Sequence, residues 1–566
     1  MSIPERPPYD SAPPPWAAGT ETRTHELFPK LNEAQLNVLR SAGTEQRFSH
    51  GEWLWQVGNR GTPLYAVLEG AIDAVRRDVH GDTVVATFLP GQFTGETTTM
   101  AGRASLVSGR ARGDLRAIAV PQERLRELMA VNPELGELLM QAFILRRMRM
   151  IAEHIGPVTL IGSRYAAETV RLRDFLTRNG TPHEYIDLEQ AEDVEGLLEQ
   201  FNVRPDETPI VLCNGRVLRN PTLEALGECL GTSNPVSEET LYDVAVIGAG
   251  PAGLGAAVYA SSEGLKVIVL EQLAPGGQAG TSSRIENYLG FPTGISGQAL
   301  AGRAWGQAQK FGTEFAIPRE VKTVSSAATE LRVALSSNET VRARTVVIAS
   351  GVVYRQPGIP GIERFIGGHV HFSASYLESL LCRGEEVAVL GGGNSAGQAA
   401  VYLSGHARHV YILVRAAGLA DSMSRYLIHR IEKTPNITLL THTELTALEG
   451  EATLERARWR NSVTGEESER PVHHVFVFIG AVPCTDYLDA TIARDAHGFI
   501  KTGAALSEAE RVRYKGAGDA QPRSLETSWP KVFAIGDVRS GSLKRVASAV
   551  GDGAAVVALL HEALQS

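Results

Sequence analysis

The chain is poor in cysteine: of 566 residues only Cys213, Cys229, Cys382 and Cys484 carry a thiol, and no two form a Cys-x-x-Cys. That spacing excludes the usual thiolate zinc sites and a local dithiol redox motif, and each cysteine is expected to be buried and inert. Long apolar runs are also missing. No stretch of about 18 apolar residues lacks glycine, proline or charge, so no membrane span is expected. Met1 to Ala18 is rich in proline and acid and has no apolar core of a signal peptide, so a cytoplasmic location is expected. A net charge of −9 over this length is mild and argues against a nucleic-acid surface. Paired histidines occur once, His473-His474, in a strand-like run where one faces each side, so no metal site is expected. A chain this long suggests three or four domains.

Two glycine-rich turns stand out instead. Asp243 to Ile247 is an apolar, β-branched strand that feeds into Gly248-Ala-Gly-Pro-Ala-Gly253. Pro251 to Glu263 then has helical composition, and a second strand, Lys266 to Leu270, ends in Glu271. This is a complete dinucleotide-binding βαβ unit, in which Gly248, Gly250, Pro251, Ala252 and Gly253 let the backbone approach a pyrophosphate at a helix N-terminus. Glu271 is suited to accept the ribose hydroxyls of an adenosine. The second unit repeats the pattern: strand Glu386 to Leu390, turn Gly391-Gly-Gly-Asn-Ser-Ala396, helix Gly397 to Ser404, strand His409 to Val414. That last strand ends in Arg415, which favours a 2′-phosphate and hence NADP(H) over NAD(H). A solvated surface arginine is the alternative reading.

Residues 1–25 are Pro/Ser/Thr-rich and expected to be disordered. Residues 26–150 alternate short strands with glycine turns and end in a helical stretch, Gln122 to Glu153, with the basic run Arg146-Arg147-Met148-Arg149. Residues 155–232 read as an α/β unit with strands at Val158–Ile161, His183–Ile186, Ile210–Cys213 and Arg216–Leu218, and helices at Ala166–Arg178, Glu192–Phe201 and Thr222–Leu230. Residues 233–239 form a linker.

Residues 240–566 resemble the low-molecular-weight thioredoxin reductases and related pyridine-nucleotide flavoenzymes. The resemblance rests on Gly276-Gly277-Gln278, Ile285-Glu-Asn-Tyr-Leu-Gly-Phe-Pro292, Val346-Val-Ile-Ala-Ser-Gly351, Val532-Phe-Ala-Ile-Gly-Asp537 and Arg545-Val546-Ala547. It implies a FAD domain from 240–356 and 480–566, with an NADP(H) domain, 357–479, inserted in it. It also implies FAD contacts from Gln272, Gly277, Gln278, Asn287, Val321, Gly351, Asp537 and Ala547. Gly391, Gly393, Asn394, Ser395, Arg415 and Arg425 are expected at NADP(H), and members of the family commonly form homodimers. The family's dithiol position is here Ala374-Ser-Tyr-Leu377, the final-helix glutamine is Val546, and Arg415 is followed by Ala416-Ala417 instead of a second arginine.

Residues 155–232 resemble a glutaredoxin or thioredoxin-like domain with the loop Ser163-Arg-Tyr-Ala166 in place of the active-site cysteines, a redox-dead unit for docking or spacing. Thr208-Pro209 falls where that fold places a cis-proline. Residues 26–150 resemble a cyclic-nucleotide-binding β-roll, carried by Phe48-Ser-His-Gly51, Gln56-Val-Gly-Asn-Arg-Gly61, Leu64-Tyr-Ala-Val-Leu-Glu-Gly70 and Pro90-Gly-Gln-Phe-Thr-Gly-Glu96. Gly95, Glu96 and Arg103 are its expected effector contacts, with Arg110 as an alternative arginine; a β-roll that binds something else, or nothing, is the competing reading.

The fold class is therefore multidomain: a β-roll, an α/β thioredoxin-like unit and two three-layer, Rossmann-type dinucleotide-binding domains. The expected function is an NADPH-dependent FAD oxidoreductase with no catalytic cysteine pair, which passes electrons to an external acceptor and takes a cyclic-nucleotide effector. The alternatives are a thioredoxin-disulfide reductase by ancestry and a nucleotide or redox sensor that does not turn over.

Overall fold

The computed structural model describes residues 24–565 except 79–80, 97–98, 100–103, 154–155, 157, 191–202, 215, 233–235, 328–329, 452 and 515–520. The expected tail, the helix at Glu192–Phe201 and Arg103 thus fall largely or wholly outside the described residues. The chain divides into two compact units. One holds residues 1–159 with 180–185 and 212–217; the other holds 160–179, 186–211 and 218–566, so residues 155–232 are shared between them.

In the first unit, strands Thr44–Phe48, Ser108–Val120, Leu64–Asp78 and Gly81–Phe88 pair antiparallel in that order, and Trp53–Trp55 pairs with Ser108–Val120. Alternate residues of Ser108–Val120 serve two cores: Leu115, Ala117 and Ala119 pack with Trp55, Tyr65 and Phe88, while Ile118 and Val120 pack with Leu64, Phe93 and Phe143. The closing helical stretch is two helices, Gln122–Val131 and Pro133–Ala152, because Pro133 cannot continue the first and starts the second.

In the second unit, Glu314–Ala316, Val267–Leu270, Leu241–Ile247 and Thr340–Ile348 form a parallel sheet. Thr340–Ile348 is long enough to carry two partners on its other side. Its start pairs antiparallel with Glu330–Leu335, which pairs with Val321–Ala327, and its end pairs parallel with Val532–Ala534. The chain therefore leaves this sheet after Ile348 and completes it almost two hundred residues later. The departing and returning segments, Val352–Tyr354 and Ala481–Pro483, pair antiparallel with each other. Between them lies a second parallel sheet in the order Val370–His371, His474–Val477, Glu386–Leu390, His409–Leu413, Ile437–Leu440. The antiparallel strands Thr443–Glu449, Arg456–Asn461 and Glu467–Arg470 lie beyond it in sequence.

Among the described residues one helix, Val546–Gln565, is long and apolar enough to cross a membrane. Here its Ala549, Gly553, Val556, Val557, Leu560 and Ala563 are buried. Gly553 is what lets it close on helix Pro251–Ser262, since a Cβ there would lie 2.5 Å from the Ala252 carbonyl oxygen.

The cysteine expectation needs correction. Cys382 and Cys484 are free, with burial pushing their thiols up to about 12 and about 11. Cys213 and Cys229, however, are each disulfide-bonded and buried. The Thr208–Pro209 peptide is cis.

Candidate functional site

The first glycine turn takes its shape from steric limits. Gly248 has φ +101°, a left-handed value that favours glycine, and a Cβ on it would lie 2.5 Å from the Ala349 carbonyl oxygen. A Cβ on Gly253 would overlap the Gly248 carbonyl. Gly250 caps the N-terminus of helix Pro251–Ser262, with Pro251 at its first position and Ala252 buried behind it. The space beside Gly250 is open as far as the Gly277 Cα, 4.0 Å from where a Cβ would stand. Free amides of a helix N-terminus facing open space suit a pyrophosphate.

Glu271 follows the second strand and is 8% exposed. Its carboxylate accepts from Ala249 N at 2.8 Å, Leu273 N at 2.9 Å and Ala274 N at 3.3 Å. Of about four lone-pair directions on a carboxylate, three are thus used to fix the turn, and one remains for a ribose hydroxyl. Gln272 is exposed beside it, and Val321 is buried in the core of this domain. Gln278 Nε2 donates to the Val352 carbonyl at 3.4 Å, while Asn287 is exposed. Gly351 has φ +67° at the turn after Thr340–Ile348.

Asp537 lies in the 3₁₀ turn Gly536–Val538, where burial raises its carboxyl above the usual range. Lys544 Nζ donates to the Asp537 carbonyl. Ala547 is on the first turn of helix Val546–Gln565. Sequence reasoning missed Asp552 on that helix, which accepts from Gly536 N at 3.0 Å and pairs with Arg539 at 3.1 Å. The available signal was a single acid in the middle of an otherwise apolar run. It also missed Arg178, whose Nη2 donates to the Gly277 carbonyl at 2.9 Å, and Asn179, whose Nδ2 donates to the Leu273 carbonyl at 2.9 Å. Those bonds span 99 and 94 residues, and no local pattern announces them.

At the second turn the helix begins at Asn394, three residues earlier than the sequence suggested, so Gly393 is its cap and Asn394 and Ser395 form its first turn. Gly391 has φ +131°, and a Cβ there would overlap the Phe478 carbonyl oxygen. Asn394 has a positioning role: its Oδ1 accepts from Ser424 N at 2.7 Å, and Ser422 Oγ donates to the Gly392 carbonyl at 2.8 Å. These two bonds hang the loop 415–425 on the turn. Arg415 at one end and Arg425, the first residue of helix Arg425–Lys433, at the other are both exposed. Neither has an ion-pair or hydrogen-bond partner among the described residues. Two uncommitted guanidinium groups beside a glycine turn fit a 2′-phosphate.

Two further features join the inserted domain to its surroundings. Arg430 pairs with Glu286 at 3.0 Å. Tyr165, in the loop Ser163–Ala166, stacks on His369 at 5.6 Å. His369 and His371 both stack on His474, and His371 Nε2 lies 3.0 Å from His474 Nδ1. Burial lowers all three, His371 to about 4. His473 turns the other way and pairs with Glu385 at 2.6 Å. Where the resemblance places a dithiol, Ala374 is buried, and Ser373 Oγ and Ser375 N donate to the Glu378 carboxylate at 2.9 and 2.8 Å.

In the β-roll, Gly95 has φ +104° and Glu96 is ion-paired with Arg147 at 3.4 Å. Arg110 lies 3.8 Å from Asp82 and over the Trp53 ring.

Residues 242–553 match the family described as pyridine nucleotide-disulphide oxidoreductase, and residues 45–132 match the cyclic nucleotide-binding domain. The chain is 33% identical over 321 residues to a thioredoxin reductase of Mycolicibacterium smegmatis, covering 56% of this chain and 95% of the relative. It is 34% identical over 322 residues to a thioredoxin reductase of Bacillus subtilis (strain 168), covering 56% and 93%. The crystal structure of Lactococcus lactis thioredoxin reductase in its FR conformation superposes with a TM-score of 0.51 at 26% identity, covering 57% of this chain and 99% of that one. Members of this family use FAD and NADPH, and the open space beside Gly250 and Gly393 is what such ligands need. The chain belongs to the pyridine nucleotide-disulphide oxidoreductase family, is an NAD(P)H-dependent flavoprotein oxidoreductase, and carries a cyclic-nucleotide-binding-type domain ahead of that enzyme.

Proposed function

We propose that this enzyme oxidises NADPH at the inserted domain and passes the electrons through FAD to an acceptor outside the chain. The observation that carries this reading is a contrast in charge. The first turn is followed by Glu271, bound into the backbone, and the second by the free cations Arg415 and Arg425. Bound flavin supplies the two-electron acceptor for hydride transfer, which needs alignment to about 3–3.5 Å and no acid or base. The residues proposed to provide that alignment are Gln278, Asn287 and Asp537, with Arg178 and Asp552 as positioning residues for the loops that carry them.

No Cys-x-x-Cys exists in the chain to take electrons from flavin, and Cys213 and Cys229 are too buried for thiol–disulfide exchange. A redox protein, a quinone or oxygen then remains as the class of acceptor. The thioredoxin-like unit at 155–232 is read as a docking element, the β-roll as an effector domain, and the assembly as a homodimer. Anaerobic stopped-flow mixing with NADPH tests the first half: flavin bleaching within seconds is expected, and a flavin that stays oxidised in excess NADPH refutes it. An acceptor screen tests the second half, and turnover at enzyme-like rates with thioredoxin alone refutes the external-acceptor reading.

A further inference from the structure

The basic run Arg146-Arg147-Met148-Arg149 lies on helix Pro133–Ala152, and the proposed reaction does not use it. Arg146 is 5% exposed. Its Nε donates to the Leu27 carbonyl at 2.8 Å and its Nη1 to the Gly95 carbonyl at 2.9 Å, while its Nη2 has no partner. The guanidinium lies over the rings of Phe93, Phe88 and Phe28 at 4.6, 5.0 and 5.4 Å. Carbonyls and ring faces do not neutralise it, and the adjacent carboxylate, Glu96, is ion-paired with Arg147. Two cations and one carboxylate leave one surplus positive charge in a buried place, and burial pushes Arg146 down to about 9.

Arg146 lines a cavity inside the β-roll, and so does Thr62, whose Oγ1 is the second buried polar atom there without a hydrogen-bond partner. The walls between are mostly apolar, with Phe28, Trp55, Val85, Phe88, Val107 and Met150, and the two other charged groups on them are already paired, Glu96 with Arg147 and Arg149 with Glu153. The other lining hydroxyls are already bonded to backbone. Thr94 Oγ1 accepts from Tyr65 N at 2.9 Å, Thr99 Oγ1 accepts from Glu96 N at 3.3 Å, and Ser105 Oγ donates to the Val107 carbonyl at 3.1 Å. Among the described residues few groups are left for a ribose or a multi-oxygen phosphate. A single charged donor without a carboxylate partner, among mostly apolar walls, suits a smaller anion.

We infer that this cavity is the effector site of the β-roll and that its ligand is an aromatic monocarboxylate, its acid group held by Arg146 Nη2 and a second polar group met by Thr62. The inference rests on the reading of the β-roll as an effector domain but not on turnover, so binding and activity fail separately. The probe is 6-hydroxy-2-naphthoate, titrated calorimetrically into the full chain in parallel with 2-naphthol, cAMP and cGMP. The acid binds one-to-one, 2-naphthol binds at least about tenfold more weakly, and Arg146→Gln weakens the acid by about tenfold or more. Equal affinity for acid and naphthol overturns the inference, and so does tighter binding of cAMP or cGMP, or no binding of the acid at millimolar concentration. If Arg146→Gln fails to fold, the comparison of acid with naphthol on the parent protein decides alone. Acid binding without NADPH-driven flavin reduction refutes the proposed reaction and leaves this site standing.

Discussion

Replacement of Arg415 by alanine is the sharpest perturbation of the second nucleotide site. The side chain is exposed and has no partner among the described residues, so the fold loses nothing with it, and the melting temperature should stay within about 1 °C of the parent. What it loses is a charge-assisted hydrogen bond to a 2′-phosphate, worth about 1.5–3 kcal/mol when shielded and nearer the low end at an exposed site. At about 1.4 kcal/mol per factor of ten, KM for NADPH should rise about tenfold while kcat changes little. NADH lacks the phosphate, so its KM should move by less than about twofold. Arg425→Ala should act in the same direction, and the double variant should approach the product of the two because the loop is held by Ser422 and Ser424 and not by the arginines. The assay is the rate of flavin reduction over a range of NADPH and NADH concentrations. Equal losses for both nucleotides, or a loss for NADPH below about threefold, would refute the assignment.

Gly553→Val should remove bound FAD and lower the melting temperature by several degrees, because its Cβ meets the Ala252 carbonyl in the helix pair under the first turn; flavin absorbance after gel filtration reads this. Asp552→Ala should keep the fold but release flavin more readily, since Gly536 N and Arg539 lose their acceptor; faster FAD loss on dilution checks it, and an unchanged rate counts against the positioning role. Thiol titration in guanidinium should count two thiols before reduction and four after, with Cys382 and Cys484 unreactive in the native protein at pH 8. His369, His371 and His474 are held neutral, with folded affinities for protons below the unfolded value near 6.5. Their contribution to stability is therefore complete above about pH 6.5 and declines as pH falls toward the value of about 4 for His371. Thermal melts from pH 7 to 4 should show that decline, and His371→Gln should flatten it.

The parts legible in the sequence are those whose cause is local. A positive φ at Gly248 and Gly391, a cap at Gly250 or Gly393, and an acid or a base at the strand end are each specified within about thirty residues, and each was readable. Partners distant in the chain were not. Asn394, expected at NADP(H), also holds Ser424 N, and Glu96, expected as an effector contact, is paired with Arg147. Cys213 and Cys229 looked inert because oxidation depends on what a thiol meets in space, which spacing alone does not reveal. Arg146 was visible only as one member of a basic run, and nothing in that run distinguishes the arginine without a carboxylate partner from Arg147 and Arg149, which are paired with Glu96 and Glu153.

Helix Ala167–Arg178 is held at both ends. Arg178 and Asn179 are bonded to carbonyls of the loop that contains Leu273 and Gly277, Gln298 Nε2 donates to Thr177, and Tyr165 just ahead of the helix rests on His369 of the inserted domain. A body tethered in this way is expected to make the two proposed nucleotide sites thermodynamically interdependent. Whatever stiffens the loop around Gly277 also restrains the domain behind His369, and linkage requires the effect to be equal in both directions. FAD and NADP(H) affinities are then expected to change each other by the same factor, with helix Ala167–Arg178 serving as the shaft between them.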